Sequence, residues 1–411
     1  MTLANLRFTE SVTVFKAEVV AGTLLRTSHG AKFIFDEGFR QEAIKNNHYG
    51  LSFELSTNKK VYEITGSNLH PFFAGLLPEG LRLKALRQSL KTSEDDLFTL
   101  LLALGSNCIG DVYVKSDNQQ ITPEIEPKKL GEATFLELFQ ESISSTELSA
   151  READPGIPGV IPKLSASMIS LPVNIHKKNK QYLLKLGTGE HPQIVQNEHF
   201  FMKLAKNCGF ITPTTTIVFD RSGSAGLLVE RFDRVYDKAN KTVQLLHQED
   251  ACQFLDRYPQ DKYRLSLREI GERMERLSSG PRVVILQLIE LYVFSYLIGN
   301  GDLHAKNISL LEDSEGRVRI APAYDLLSTL PYGDRQMALH LNAKQDNFQI
   351  RDLIEFGKIF GLPEKALRTS VGSLAKKIQS KIPEFEDIGL SKKKTVDLQN
   401  TCRQRIEKLT L

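Results

Sequence analysis

Apolar residues recur at helical spacing between positions 80 and 104, where Leu81, Leu83, Leu86, Leu90, Leu97, Leu100, Leu101 and Leu104 fall on one stripe and predict a single helix. A denser apolar stretch, Val283–Gly299, is interrupted by Gln287 and Glu290. It is shorter than the roughly 20 residues a comfortable membrane span needs, and predicts a buried core helix. Ala133–Phe139 and Asn197–Lys206 read as further helices, the second amphipathic. Strand signals are short. Phe33–Phe35 runs into Asp36, and Ser165–Leu171 and Tyr182–Leu186 flank the basic turn HKKNK and predict a hairpin. Ile217–Phe219 and Leu227–Glu230 flank Arg221-Ser222-Gly223. From about Gln248 the pattern is helical, except for Ile308–Leu311 and Val318–Ile320, two strands joined by DSEG.

The polar segment Asp117–Lys129, with Pro123 and Pro127, reads as a linker. Three regions follow: 1–118 mixed strand and helix, 130–238, and a mainly helical 239–411. No internal repeat or low-complexity tract is present, and the run Lys392-Lys393-Lys394 reads as a solvated face. The 411 residues are 41% hydrophobic and 25% charged, which excludes a disordered tail, a fibrous repeat and a small disulfide scaffold. Fifty-three Lys and Arg against 50 Asp and Glu give a net charge of +3, too small to argue for nucleic-acid binding. Cys108, Cys208, Cys252 and Cys402 have no CxxC spacing, so neither a zinc site nor a redox motif is indicated, and scattered thiols fit a reducing compartment. The start MTLANLRFTE has no basic region followed by an apolar run. The expectation is a cytoplasmic protein with no membrane association.

The chemistry lies in the order of a few residues. A Gly- and Pro-rich loop, DPGIPGVIPKL at Asp154–Leu164, precedes the first hairpin. Lys185 closes a strand, Glu198 sits on the next helix, and a later strand ends in Glu230-Arg231-Phe232-Asp233. The buried helix then delivers Asp302 and, five positions on, Asn307, and Asp325 follows the second hairpin. This is the chain order of a protein-kinase-like phosphotransferase. A lysine neutralises phosphate, an aspartate and an amide oxygen are hard ligands for a divalent cation, and another carboxylate takes the proton of the acceptor hydroxyl. Each residue alone has a plainer reading: Asp325 as the cap of a helix starting at Leu326, Glu198 as a surface carboxylate, His304 as structural. Their joint order raises the functional reading above these.

At these residues the sequence resembles the HipA-type toxin kinases of bacterial toxin–antitoxin pairs. The resemblance runs through HPFFAGLLPEGLR at His70–Arg82, DLFTLLLALGSNCIGDV, GVIPKLSAS at Gly159–Ser167, YLLKLG at Tyr182–Gly187, NEHFFMKLA at Asn197–Ala205, VERFDR at Val229–Arg234, HQEDACQ at His247–Gln253, GNGDLHAKN at Gly299–Asn307 and APAYDLLST at Ala321–Thr329. It implies an α+β, two-lobed protein-kinase-like fold, with an extra amino-terminal mixed α/β subdomain and a largely helical C-lobe. It also implies an ATP- and magnesium-dependent Ser/Thr kinase. On that resemblance Lys185 is the ATP-phosphate lysine, and Lys163 and Gly159 belong to the phosphate-side loop. Glu230 and Phe232 meet adenine through the backbone, and Asp233 lies near the ribose. Asp302 is the catalytic aspartate with His304 in the same loop, and Asn307 and Asp325 hold magnesium. The Lys185–Glu198 pairing is an inference from chain order.

The resemblance further implies a helix-turn-helix antitoxin, contact with DNA only through it, and a translation-related target such as an aminoacyl-tRNA synthetase. Two other readings stay open, a small-molecule kinase and a non-catalytic antitoxin-binding co-repressor. The chain departs from many relatives at Gly156, which stands where their phosphorylated loop serine lies; no hydroxyl residue occurs from Ala150 to Leu164. That switch is expected to be absent, with Ser149 and Ser165 the nearest hydroxyls.

Overall fold

The computed structural model describes residues 6–46, 48–66, 69–105, 108–115, 130–144, 168–175, 180–187 and 189–410. The loop carrying Gly156, Gly159 and Lys163, both flanking serines and the expected linker lie outside the described residues. The chain forms two compact units. One comprises residues 1–188, 218–226 and 233–259, and the other 189–217, 227–232 and 260–411.

The amino-terminal unit opens with β1 (Ser11–Lys16), β2 (Val19–Thr27), β3 (Gly30–Phe35), β4 (Val61–Thr65) and β5 (Val112–Lys115), a sheet ordered β4-β3-β2-β1-β5. Its neighbouring strands pair antiparallel. Alternation along β3 buries Ala31, Phe33 and Phe35. These pack with Phe72, Phe73, Leu100, Leu101 and Val114 into one apolar core. Asp36, expected as a turn, is the N-cap of the Glu37–Lys45 helix and accepts from the Phe39 amide.

The single helix expected over 80–104 is instead two, Gly80–Leu90 and Leu97–Leu104. Lys91 takes a left-handed φ of 50°, which ends the first. Asp96 caps the second and is tied to Arg26 at 2.9 Å. Leu90 and Leu97 are seven residues apart, two helical turns, so the apolar period runs through the break without registering it.

The expected hairpin is present as β6 (Ile169–Ile175) and β7 (Lys180–Leu186), paired from Ile169↔Leu186 to Ile175↔Lys180. The first strand continues past Leu171 because β6 is at the sheet's edge, where Pro172 costs no ladder bond. With β8 (Thr215–Phe219) and β9 (Ala225–Glu230) the order is β6-β7-β9-β8. β10 (Arg234–Asp237) pairs with β11 (Thr242–Leu245), and β12 (Gln248–Asp250) leads into a short helix capped by Asp250.

The second unit is mainly helical: Ile194–Cys208, Leu267–Leu277, Pro281–Ile298, Ile350–Ile359, Glu364–Lys381 and Lys392–Thr410, with the hairpin β13 (Ser309–Glu312) and β14 (Val318–Ile320). The apolar helix is Pro281–Ile298. It is long and apolar enough to cross a membrane by length and composition, but Ile285, Leu288, Phe294, Leu297 and Ile298 have no exposed surface. Arg405 donates to the Tyr296 carbonyl and Tyr292 to the Leu339 carbonyl, which anchors the helix inside the unit. All four cysteines are buried, and none forms a disulfide.

Candidate active site

The core helix ends at Gly299, whose φ of 72° turns the chain sharply. Gly301 is required for a different reason. A Cβ there would lie 2.3 Å from Asp334 Oδ2 and 2.5 Å from the Gln336 carbonyl. The loop is fastened from below: the Gly301 amide donates to Thr329 Oγ1 at 2.8 Å, and the Thr329 amide to the Gly299 carbonyl at 2.8 Å. The Asp302 amide donates to Asn300 Oδ1 at 3.1 Å. Asp302 therefore sits on a main chain held rigidly at the end of a buried helix.

Beyond Asp302 the chain folds back on itself. The Asp302 carbonyl accepts from the His304 amide at 2.8 Å and from Asn307 Nδ2 at 3.0 Å. The second bond sets the Asn307 amide, leaving Oδ1 as its acceptor end. His304 is buried, with its ring edge-on to Tyr263 at 5.3 Å. Tyr263 donates its hydroxyl to Asp302 Oδ1 at 2.8 Å. The preceding residue, Lys262, accepts the Ala305 amide at its carbonyl at 3.1 Å. Nothing in the local pattern singles out Lys262 and Tyr263; they lie some forty residues upstream in a polar stretch.

Asp325 follows β14 in an irregular segment, and no helix starts at Leu326, so it is not a helix cap. Its φ is 60°, a left-handed backbone that costs an aspartate energy and that the surrounding fold imposes. Its neighbour Tyr324 bonds Ser309 Oγ and the Lys306 carbonyl, both at 2.7 Å, and so ties this segment to the loop that carries Asp302 and Asn307. The Tyr324 ring lies 5.7 Å from that of Phe232. Glu230 is half-buried, and its amide donates to the Thr214 carbonyl at 2.9 Å.

Burial pushes the Asp302 carboxyl up to about 6, and Asp325 and Asp334 push the same way; the Tyr263 hydrogen bond and Lys262 pull it back in part. Carboxylates that repel one another, with an amide oxygen in the same loop, are donors of the type a divalent cation takes, and such a cation would relieve the repulsion on Asp302. Among the described residues no three His, Cys, Asp or Glu side chains form a metal-holding group. Asn307 and Asp325 are the residues expected to hold magnesium, and an amide oxygen and a carboxylate are donors of the kind it would take.

The remaining expected residues sit on other elements. Lys185 is buried near the end of β7 in the amino-terminal unit. Glu198 is completely buried on the Ile194–Cys208 helix of the second unit, unlike a surface carboxylate. Asp233 belongs to the amino-terminal unit, where its Oδ2 accepts from the Gly110 amide and from Arg234, both at 2.9 Å.

Comparison with known proteins resolves the family. Residues 12–115 match the HipA N-terminal domain and residues 156–382 the HipA-like C-terminal domain. The chain belongs to the HipA family. It is 30% identical over 329 residues to the putative kinase Y4mE of Sinorhizobium fredii, covering 77% of this chain and 76% of that protein. It is 28% identical to the serine/threonine-protein kinase toxin HipA of Shewanella oneidensis, over 78% of each. The solved complex of Shewanella oneidensis HipA with HipB and operator DNA shares the fold, with a TM-score of 0.74 and 22% identity over 97% of both chains. The expected family and the mixed α/β fold with a helical carboxy-terminal region are thus both found.

Proposed function

We propose that this HipA-family chain is an ATP- and magnesium-dependent Ser/Thr protein kinase, that it slows growth by phosphorylating a translation-related protein such as an aminoacyl-tRNA synthetase, and that a helix-turn-helix antitoxin restrains it. The observation that carries the reading is the loop from Asp302 to Asn307. Within it a half-buried carboxylate stands on a fixed main chain, and the amide that would hold metal is oriented by the carbonyl of the same aspartate. Asp302 takes the proton of the acceptor hydroxyl as the acceptor oxygen bonds the γ-phosphorus of ATP and ADP departs. Magnesium at Asn307 and Asp325 supplies charge neutralisation of the phosphates. Lys185 contributes a cation toward phosphate, and Glu230 and Phe232 supply backbone groups for adenine. Lys163 and Gly159 serve the phosphate-side loop, and His304 shapes the catalytic loop. The name of the Shewanella oneidensis relative supports the toxin reading, and its complex with HipB and operator DNA supports an antitoxin through which DNA is reached.

The test is transfer of labelled phosphate from ATP to protein by the purified full chain, with and without magnesium. Phosphoserine or phosphothreonine that needs both magnesium and Asp302 supports the reading. Binding of nucleotide with no transfer to any protein sinks it. Growth arrest that Lys185→Ala relieves extends it to toxicity; equal arrest by both variants points to sequestration of a partner.

A further inference from the structure

Asp302 has its main chain fixed, yet its carboxyl can still rotate about the bond to Cβ. The Tyr263 hydroxyl donates a hydrogen bond to that carboxyl, 2.8 Å from Oδ1. We propose that Tyr263 is a positioning residue for phosphoryl transfer, holding Oδ1 so that the other carboxylate oxygen faces the acceptor hydroxyl. This deepens the kinase reading and rests on it.

Three contacts make Tyr263 a fixed support. Its ring meets the buried His304 edge-on at 5.3 Å. The Lys262 ammonium lies over the same ring, 5.2 Å from its centre. The Ala305 amide donates to the Lys262 carbonyl at 3.1 Å, which ties the segment bearing Tyr263 to the catalytic loop. Tyr263 is thus attached to the loop by main chain and by ring, with its hydroxyl left to reach the carboxylate.

The type of donor matters. A lysine or arginine here would orient the carboxylate but also neutralise it and take away its proton affinity. A phenol is uncharged at neutral pH, so it fixes direction and leaves the aspartate a base. Tyr263 is 48% exposed, so core packing does not explain its place. Losing only the hydroxyl should leave the fold intact.

Phosphate transfer from ATP to myelin basic protein, as a stand-in acceptor, is measured for the full-length wild type, Tyr263→Phe and Tyr263→Leu, with nucleotide affinity followed by a fluorescent ATP analogue. The expected result is a fall in kcat of about tenfold in Tyr263→Phe, the size of one lost hydrogen bond to a charged group, with KM for ATP and analogue affinity unchanged. A Tyr263→Phe enzyme at wild-type rate beside a slow Tyr263→Leu would assign the residue to ring packing and overturn the proposal. A faster Tyr263→Phe would show that the hydroxyl occupies the acceptor's place, and would overturn it too. A wild type that binds the analogue but transfers no phosphate sinks the kinase reading, and the positioning role with it.

Discussion

Two aspartates in this chain lie in buried clusters and respond in opposite directions. Asp111 in the amino-terminal unit meets Lys16 at 3.1 Å and His247 at 2.6 Å, and the other ring nitrogen of His247 bonds Glu249 at 2.8 Å. Burial works to raise Asp111, but the Lys16 and His247 charges outweigh it and hold the carboxyl far below its usual range. Asp302 accepts from a neutral hydroxyl, and burial, with repulsion from Asp325 and Asp334, pushes it up to about 6. In the first cluster the cost of burial is offset by opposite charge, as a structural ion network requires. In the second the cost is left standing, and a carboxylate with raised proton affinity is what proton transfer near neutral pH needs.

The largest expected effect breaks the catalytic side of the contrast. Asp302→Asn keeps shape and loses the base, so kcat should fall about 10³-fold, roughly 4 kcal/mol of barrier, with ATP affinity retained. Steady-state kinetics check it, and wild-type turnover would remove Asp302 from the mechanism. The same change relieves repulsion from Asp325 and Asp334, so the thermal midpoint should stay level or rise. A clear drop in that midpoint would mean the carboxylate is structural after all.

Asp111→Ala sharpens the other side. It strands Lys16 and His247 in a buried site, and removing one partner of such a network costs on the order of 3 kcal/mol. Denaturant unfolding should show a lower midpoint. The two aspartates would then separate cleanly, one costing turnover and the other stability.

The sequence showed the catalytic side of this contrast and hid the structural one. Asp302 and Asn307 are five residues apart in one loop, so their order is legible at short range. The core helix announces itself by apolar density. The strands after it show by alternation and the turn DSEG, and β13 and β14 are shifted from expectation by a single residue at most. The Lys16–His247 and Asp111–His247 contacts span 231 and 136 residues, and no periodicity encodes a pairing at that range. Tyr263 was missed for the same reason, reaching Asp302 across 39 residues. Asp233 shows another long-range partner that its local sequence hides, since its carboxylate accepts from the Gly110 amide across 123 residues as well as from Arg234.

A smaller effect is expected at Asp325. Replacing it with alanine removes one hard anionic ligand, and magnesium-dependent ATP affinity should weaken by about tenfold. Calorimetric titration with and without magnesium reads this directly. Asp325→Gly is the sharper variant, because glycine accepts a φ of 60° without strain. It should lose the same affinity while gaining slightly in stability, which separates the ligand from the backbone. Unchanged magnesium dependence in both variants would leave Asp325 with a conformational role alone.

The smallest effect is in pH, and it tests whether the two clusters are wired as described. His247 is raised above its usual value: burial and Lys16 work against its charge, and Asp111 and Glu249 prevail. A raised histidine contributes stability that is complete below about 6.5 and is lost as pH climbs through its folded-state value. Asp111 is lowered, so its contribution is complete above about 4 and is lost only in strong acid. Asp302 is raised to about 6, so the folded state prefers it protonated, and its contribution fades between about 4 and 6. The amino-terminal cluster should therefore be strongest from about 4 to 6.5, with a decline on the alkaline side that belongs to His247. Thermal midpoints from pH 5 to 9 for wild type, His247→Gln and Asp302→Asn would resolve these windows. His247→Gln should flatten the alkaline decline while leaving the fall between 5 and 6, and Asp302→Asn should do the opposite. If His247→Gln leaves the alkaline decline untouched, His247 is neutral in the fold, and the opposition between a neutralised cluster and a strained one fails at its first member.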